Sequence, residues 1–180
     1  FISLIQREIE NVHNGLSGRI VAKMNALVDP KIITSLYKAS QAGVQIDLII
    51  RGICCLRPGV PEVSENIRVI SVVGRFLEHS RIYYFHNQGK EEVYIGSADW
   101  MPRNLDRRVE AVVPVEDPDI IQDLQEILGV MLADNRQAWE LQPDGSYIQR
   151  HPADGTREQC AQKILMEMAN ESVKSSEFVS

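Results

Sequence analysis

Histidine and arginine are the side chains in this sequence best suited to phosphate chemistry. His79 stands in Arg75-Phe76-Leu77-Glu78-His79-Ser80-Arg81, just ahead of an apolar alternating run and with charge on both sides. A histidine so placed is able to act as a nucleophile or a general acid, because imidazole titrates near neutrality. His13, His86 and His151 have no comparable surroundings. Residues 51–108 carry eight arginines and one lysine against seven acidic side chains, a local balance of +2 within a chain of net charge −6. Outside that segment arginine and lysine are equally used, five of each. The guanidinium fork grips phosphate or carboxylate oxygens in pairs, whereas lysine offers a point charge. The bland alternative is a solvated arginine-rich surface.

Position separates these arginines. Arg51 closes an apolar run and precedes Gly52, so its side chain should emerge at a carboxyl strand end, where open α/β sheets bind ligands. Arg107 and Arg108 are expected to open a strand, and alternation would send only one of them into a site. Arg57, Arg68, Arg75 and Arg103 read as surface charges. The three cysteines, Cys54, Cys55 and Cys160, match no zinc spacing and read as the reduced thiols of a cytosolic protein, so no metal ligand set is expected.

The elements that must position these groups follow from periodicity. Ile2, Ile5, Ile9 and Val12 fall at helical spacing; residues 20–25 alternate as a strand; Asp29-Pro30 caps a helix that ends at Gly43; residues 44–50 read as a buried strand. That order favours a parallel βαβ unit. Two glycines and two prolines make residues 52–62 a loop. Strands are expected at 67–73, 81–86, 91–96 and 109–115, the middle two as an antiparallel hairpin about residues 87–90 and separated from the last by a loop over 97–106. Asp117-Pro118 caps another helix. Residues 136–150 read as a short amphipathic segment with a turn at 143–145, and Thr156 with Gln159 as the capping box of a last helix. The expectation is a mixed α/β domain over residues 1–170, helices on both faces, with a polar, frayed tail over 171–180. At 44% apolar and 24% charged the chain is an ordinary globular sequence. It has no membrane-spanning run, and its acidity argues against a general nucleic-acid binder. It opens at Phe1 inside a helical pattern, which reads as part of something longer.

His79-x-Arg81 followed by Gly96-Ser97-Ala98-Asp99 resembles the phospholipase D signature, H-x-K and then G-S-x-N, with Arg81 in place of the lysine and Asp99 in place of the asparagine. At greater length the chain resembles the carboxyl-terminal catalytic domain of the type 1 polyphosphate kinases. The stretches that carry this are Lys23–Asp29 (KMNALVD), Asp47–Cys54 (DLIIRGIC), Phe76–Tyr83 (FLEHSRIY) and Gly96–Asp106 (GSADWMPRNLD). The resemblance implies a phospholipase D-like fold and an enzyme that moves the terminal phosphate of ATP reversibly onto polyphosphate. It further implies a phosphohistidine in a preceding domain and magnesium held mainly outside this chain. His79 then matches a histidine that assists proton transfer, and Arg51 and Arg108 match arginines on the nucleotide phosphates. Arg81 and Asp99 are read as groups orienting His79. A homo-oligomeric, cytoplasmic enzyme is expected, with peripheral association at the inner membrane left open. The alternatives are a dimeric phosphodiesterase and a non-catalytic polyphosphate- or nucleotide-binding domain.

Overall fold

A computed structural model describes the chain over residues 1–177, with side chains described as far as residue 171. Eight strands form one open sheet in the order β6-β5-β4-β1-β2-β3-β7-β8. β1 (Arg19–Met24), β2 (Gln45–Ile50) and β3 (Ile67–Val72) lie parallel at its centre. β4 (Ile82–Phe85) runs antiparallel to β1, and β5 (Glu92–Gly96) and β6 (Val112–Val115) continue antiparallel beyond it. Alternation along the central strands feeds two cores. Ile20, Ala22, Met24, Leu48, Ile50, Tyr83 and Phe85 pack under α1 (Ile2–His13) and α2 (Pro30–Ala42). Val21, Ile49, Ile70, Ile82 and Tyr84 pack under α4 (Pro118–Leu132) and α5 (Ala161–Glu177). Helices therefore cover both faces, as the patterning predicts.

Local chemistry sets the element ends where the sequence was plain. The Asp29 carboxylate accepts from the Lys31 and Ile32 amides, and Asp117 does the same for Asp119 and Ile120; each cap is worth about 1 kcal/mol. Gly43 ends α2 at φ +101°, in the left-handed region open to glycine.

Four expectations need correction. The segment 97–106 is not all loop: Pro102 starts a short helix, α3 (Pro102–Arg107). Arg107 and Arg108 consequently end that helix rather than open a strand, and β6 begins only at Val112. Residues 136–150 form a β-hairpin, β7 (Ala138–Leu141) and β8 (Tyr147–Gln149), which pairs with β3 and extends the sheet. The expected turn is present, with the Gly145 amide on the Gln142 carbonyl. Thr156 does not cap the last helix; its hydroxyl bonds the Ala153 carbonyl, and the fully buried Asp134 accepts from the Ala161 amide at 2.7 Å instead. α5 runs through Glu177, and residues 178–180 of the expected polar tail lie outside the described residues.

Candidate active site at the carboxyl edge of the sheet

Mixed strand direction brings distant segments to one edge. β1, β2 and β3 end there, β4 begins there, and β5 ends beside the start of β4, with Ile82 opposite Ile95. The segment carrying His79 and Arg81 and the turn carrying Ser97 to Asp99 therefore meet, although they lie 18 residues apart at Arg81 and Asp99.

Backbone bridges hold this edge together. Leu27 bridges Cys54 on one side and Trp100 on the other; the Leu27 amide donates to the Ile53 carbonyl, and the Val28 and Asp29 amides donate to the Trp100 carbonyl. Buried Trp100 stacks on Tyr83 with ring centroids 5.2 Å apart, and the Tyr83 hydroxyl donates to the Ala98 carbonyl. Burial first, and then the Asp99 charge, raise the Tyr83 pKa far above the usual phenol value, so it remains a donor. Gly96 must lack a side chain, because a Cβ would sit 2.5 Å from the Ala111 carbonyl oxygen.

Arg81 and Asp99 form the centre of the site. Arg81 Nε donates to Asp99 Oδ1 at 3.1 Å and Nη2 to Oδ2 at 3.0 Å, with both side chains more than nine-tenths buried. Asp99 Oδ1 also accepts from the Asn25 amide at 2.7 Å. The remaining guanidinium nitrogen, Arg81 Nη1, reaches the His79 carbonyl at 2.8 Å and His79 Nδ1 at 2.9 Å. A guanidinium can only donate, so Nδ1 accepts and the neutral imidazole carries its proton on Nε2. His79 is exposed, so that proton faces solvent.

Further cationic groups belong to neighbouring segments. Arg51 follows β2 at the same edge and is half-buried, with its carbonyl held by Ser71 and its Nε unpartnered. Lys23, 3% exposed, lies between Arg51 and Arg81; burial lowers its pKa, Glu78 raises it, and the two arginines lower it further. Arg108 is exposed beyond α3, near Glu110. Hydrogen bonds from Ser97 and then Asn104 hold the Glu110 carboxyl below the usual range. The structure thus joins His79, Arg81 and Asp99 by direct bonds; Arg51 follows β2 at the same edge, and Arg108 follows α3 near Glu110. Sequence reasoning missed Lys23, Asn104 and Glu110. Lys23 shares its strand parity with Arg19, Val21 and Asn25, where a charge is unremarkable, so none of the three carried a signal.

The carboxylates here do not suit a magnesium ion. Asp99 already accepts from the Asn25 amide and from Arg81, Glu110 from Ser97 and Asn104, and Glu78 from Gln162 while facing the Lys23 ammonium at 3.8 Å. Among the described residues no three His, Cys, Asp or Glu side chains gather as a metal site.

A mixed sheet between helix pairs, with H-x-R and G-S-x-D side by side at one edge, defines a phospholipase D-like domain. Nuc from Salmonella typhimurium, a phospholipase D family member, shares that fold with a TM-score of 0.54 at 15% identity, covering 75% of this chain and 88% of its own. A family model described as polyphosphate kinase C-terminal domain 2 matches residues 1–162, and the chain belongs to that family. The polyphosphate kinase of Synechocystis is 70% identical over 168 residues, 93% of this chain and 23% of the relative; that of Pseudomonas aeruginosa is 54% identical over 166 residues, 92% of this chain and 24% of the relative. The crystal structure of polyphosphate kinase from Porphyromonas gingivalis matches with a TM-score of 0.92 at 47% identity, covering 96% of this chain and 26% of its own. The chain spans about a quarter of the length of these relatives. Among the described residues no helix is long and apolar enough to cross a membrane.

Proposed function

We propose that this domain supplies one wall of a site that transfers the terminal phosphate of ATP to and from inorganic polyphosphate, with His79 as proton donor and acceptor. The observation that carries the reading is the bond from Arg81 Nη1 to His79 Nδ1, which leaves the Nε2 proton directed outward. In the synthetic direction the bond between the γ-phosphorus and its bridging oxygen breaks, ADP departs, and the phosphoryl group ends on the terminal oxygen of the polyphosphate chain. A proton placed on a phosphate oxygen during that exchange lowers the charge that builds there. Arg51 and Arg108 supply guanidinium forks for the phosphates, a task of positioning and charge neutralisation rather than covalent chemistry.

The site's own residues define what it lacks. Among the described residues no second histidine stands beside His79, so a phosphorylated imidazole would come from another domain, together with the ligands for magnesium, whose chemistry is to screen the phosphate charges. Relatives called polyphosphate kinase at 54–70% identity favour this reading over a phosphodiesterase, whose likeness at 15% identity concerns the fold. The test is His79→Ala in a polyphosphate kinase that carries this domain. Phosphate transfer should fall at least 100-fold, in line with the contribution of a positioned acid or base, with nucleotide binding retained. Full turnover in that variant would refute the assignment.

A further inference from the structure

The loop that carries His79 has almost nothing apolar to hold it. From Val73 to Ser80 every residue but Glu78 is exposed, and Phe76 and Leu77 are 46% and 78% exposed. Side-chain burial therefore does not fix the height of His79 above the sheet. Besides the Arg81 contacts to His79 itself, two buried polar side chains hold the loop from parts of the chain remote in sequence.

Gln162, 4% exposed, stands in the first turn of α5. Its Oε1 accepts from the Phe76 amide and its Nε2 donates to the Phe76 carbonyl, both at 2.9 Å, as a strand partner would. Nε2 also reaches Glu78 Oε1 at 3.5 Å. Lys23, on β1, donates from Nζ to the Ser80 carbonyl at 3.2 Å and faces Glu78 Oε2 at 3.8 Å. His79 thus lies between two residues that Lys23 holds. Gly74 supplies an independent sign of how close the loop runs: a Cβ there would stand 2.5 Å from Oε1 of both Gln162 and Gln137.

We propose that Gln162 and Lys23 are positioning residues for His79, clamping its loop from α5 and β1. This rests on the proton-transfer reading of His79. A buried lysine is an expensive way to make such a contact, since burial penalises its charge. An apolar side chain of similar size would fit the core at least as well, so the ammonium is explained by what it bonds.

The test combines amide hydrogen exchange on the 180-residue chain with steady-state kinetics of a polyphosphate kinase carrying this domain. Gln162→Ala should speed exchange at the Phe76 amide at least 10-fold while leaving the β1 and β2 amides protected. Gly74→Ala should do the same without removing any hydrogen-bonding group. Lys23→Met should loosen residues 78–80 with no fall in melting temperature, and Lys23→Arg, which still donates, should restore them in part. In each loosened variant kcat should fall about 10- to 100-fold, the cost of misplacing a reacting group by an ångström or so, with KM for nucleotide changed less than threefold. A loosened loop with unchanged kcat would overturn the proposal, as would a fall in kcat without any change in loop exchange. Full turnover in His79→Ala would overturn the reading beneath it, whereas an inactive His79→Ala beside a fully active Gln162→Ala would sink the clamp alone.

Discussion

Replacing Asp99 by asparagine keeps the shape of a buried side chain and removes one charge from the Arg81–Asp99 pair. The asparagine oxygen can still accept from the Asn25 amide and from Arg81 Nε, the two contacts of 2.7 and 3.1 Å. The atom in place of Oδ2 becomes an amide nitrogen, and it faces Arg81 Nη2 across 3.0 Å, donor against donor. One charge-assisted hydrogen bond is lost, worth roughly 1.5–3 kcal/mol. The guanidinium, more than nine-tenths buried, is also left without its counter-charge. Breaking a buried pair from one side costs about 3–5 kcal/mol in all. With a urea slope of roughly 2 kcal/mol per M, the unfolding midpoint of the chain should drop by about 1.5–2.5 M. The decisive assay is a double-mutant cycle. Arg81→Met should cost a similar amount, because it strands the carboxylate, but Arg81→Met with Asp99→Asn removes both charges and should cost at least about 2 kcal/mol less than the sum. Additivity within about 0.5 kcal/mol would show that the two side chains do not depend on each other, and the account of the site's centre would fail.

Other expectations are independent of that pair. His79→Ala should leave the stability of the isolated chain within about 0.5 kcal/mol, since the side chain is exposed, and a larger loss in urea unfolding would give it a structural role. Gly96→Ala should destabilise by roughly 1–3 kcal/mol, because its methyl group would overlap the Ala111 carbonyl between β5 and β6; an unchanged unfolding midpoint would count against so close an approach of the two strands. Burial pushes the Cys54 thiol up to about 11 from 9.0, so iodoacetamide at pH 8 should label exposed Cys55 well before Cys54, as peptide mapping would reveal. The same shift gives a pH dependence of known sign. A thiol whose folded pKa is raised contributes fully below pH 9 and loses that contribution as pH rises from 9 towards 11, so Cys54→Ala should flatten the alkaline fall in stability.

The central strands, both caps that begin with Asp-Pro and the β4–β5 hairpin were legible because local chemistry and tertiary need agree there. Apolar periodicity, N-cap carboxylates and a polar turn each point to the structure found. The misses share a different cause. Arg107 ends, and Arg108 caps, a short helix whose start is signalled only by Pro102, and six residues carry too little periodicity to separate a helix from a loop. The β7–β8 hairpin has strands of four and three residues, and its existence depends on the free edge of β3. The cap of α5 comes from Asp134, 27 residues upstream, which no local pattern announces. At the site, residue types and strand ends brought attention to His79 and Arg51, and a family resemblance added Arg81 and Asp99. What sequence did not reveal is which nitrogen of His79 bears the proton, because a single contact from Arg81 sets it.

The bridges at Leu27 have an evolutionary consequence. The loops after β1, β2 and β5 are tied to one another by main-chain hydrogen bonds through Leu27, Ile53 and Trp100, and side-chain identity does not enter those bonds. A frame written in the main chain can be inherited while its chemistry drifts. Arg81 and Asp99 can accordingly be exchanged as a pair with the turn that presents them left where it is. The side chains at one rim of the sheet are thus separable from the frame that holds them.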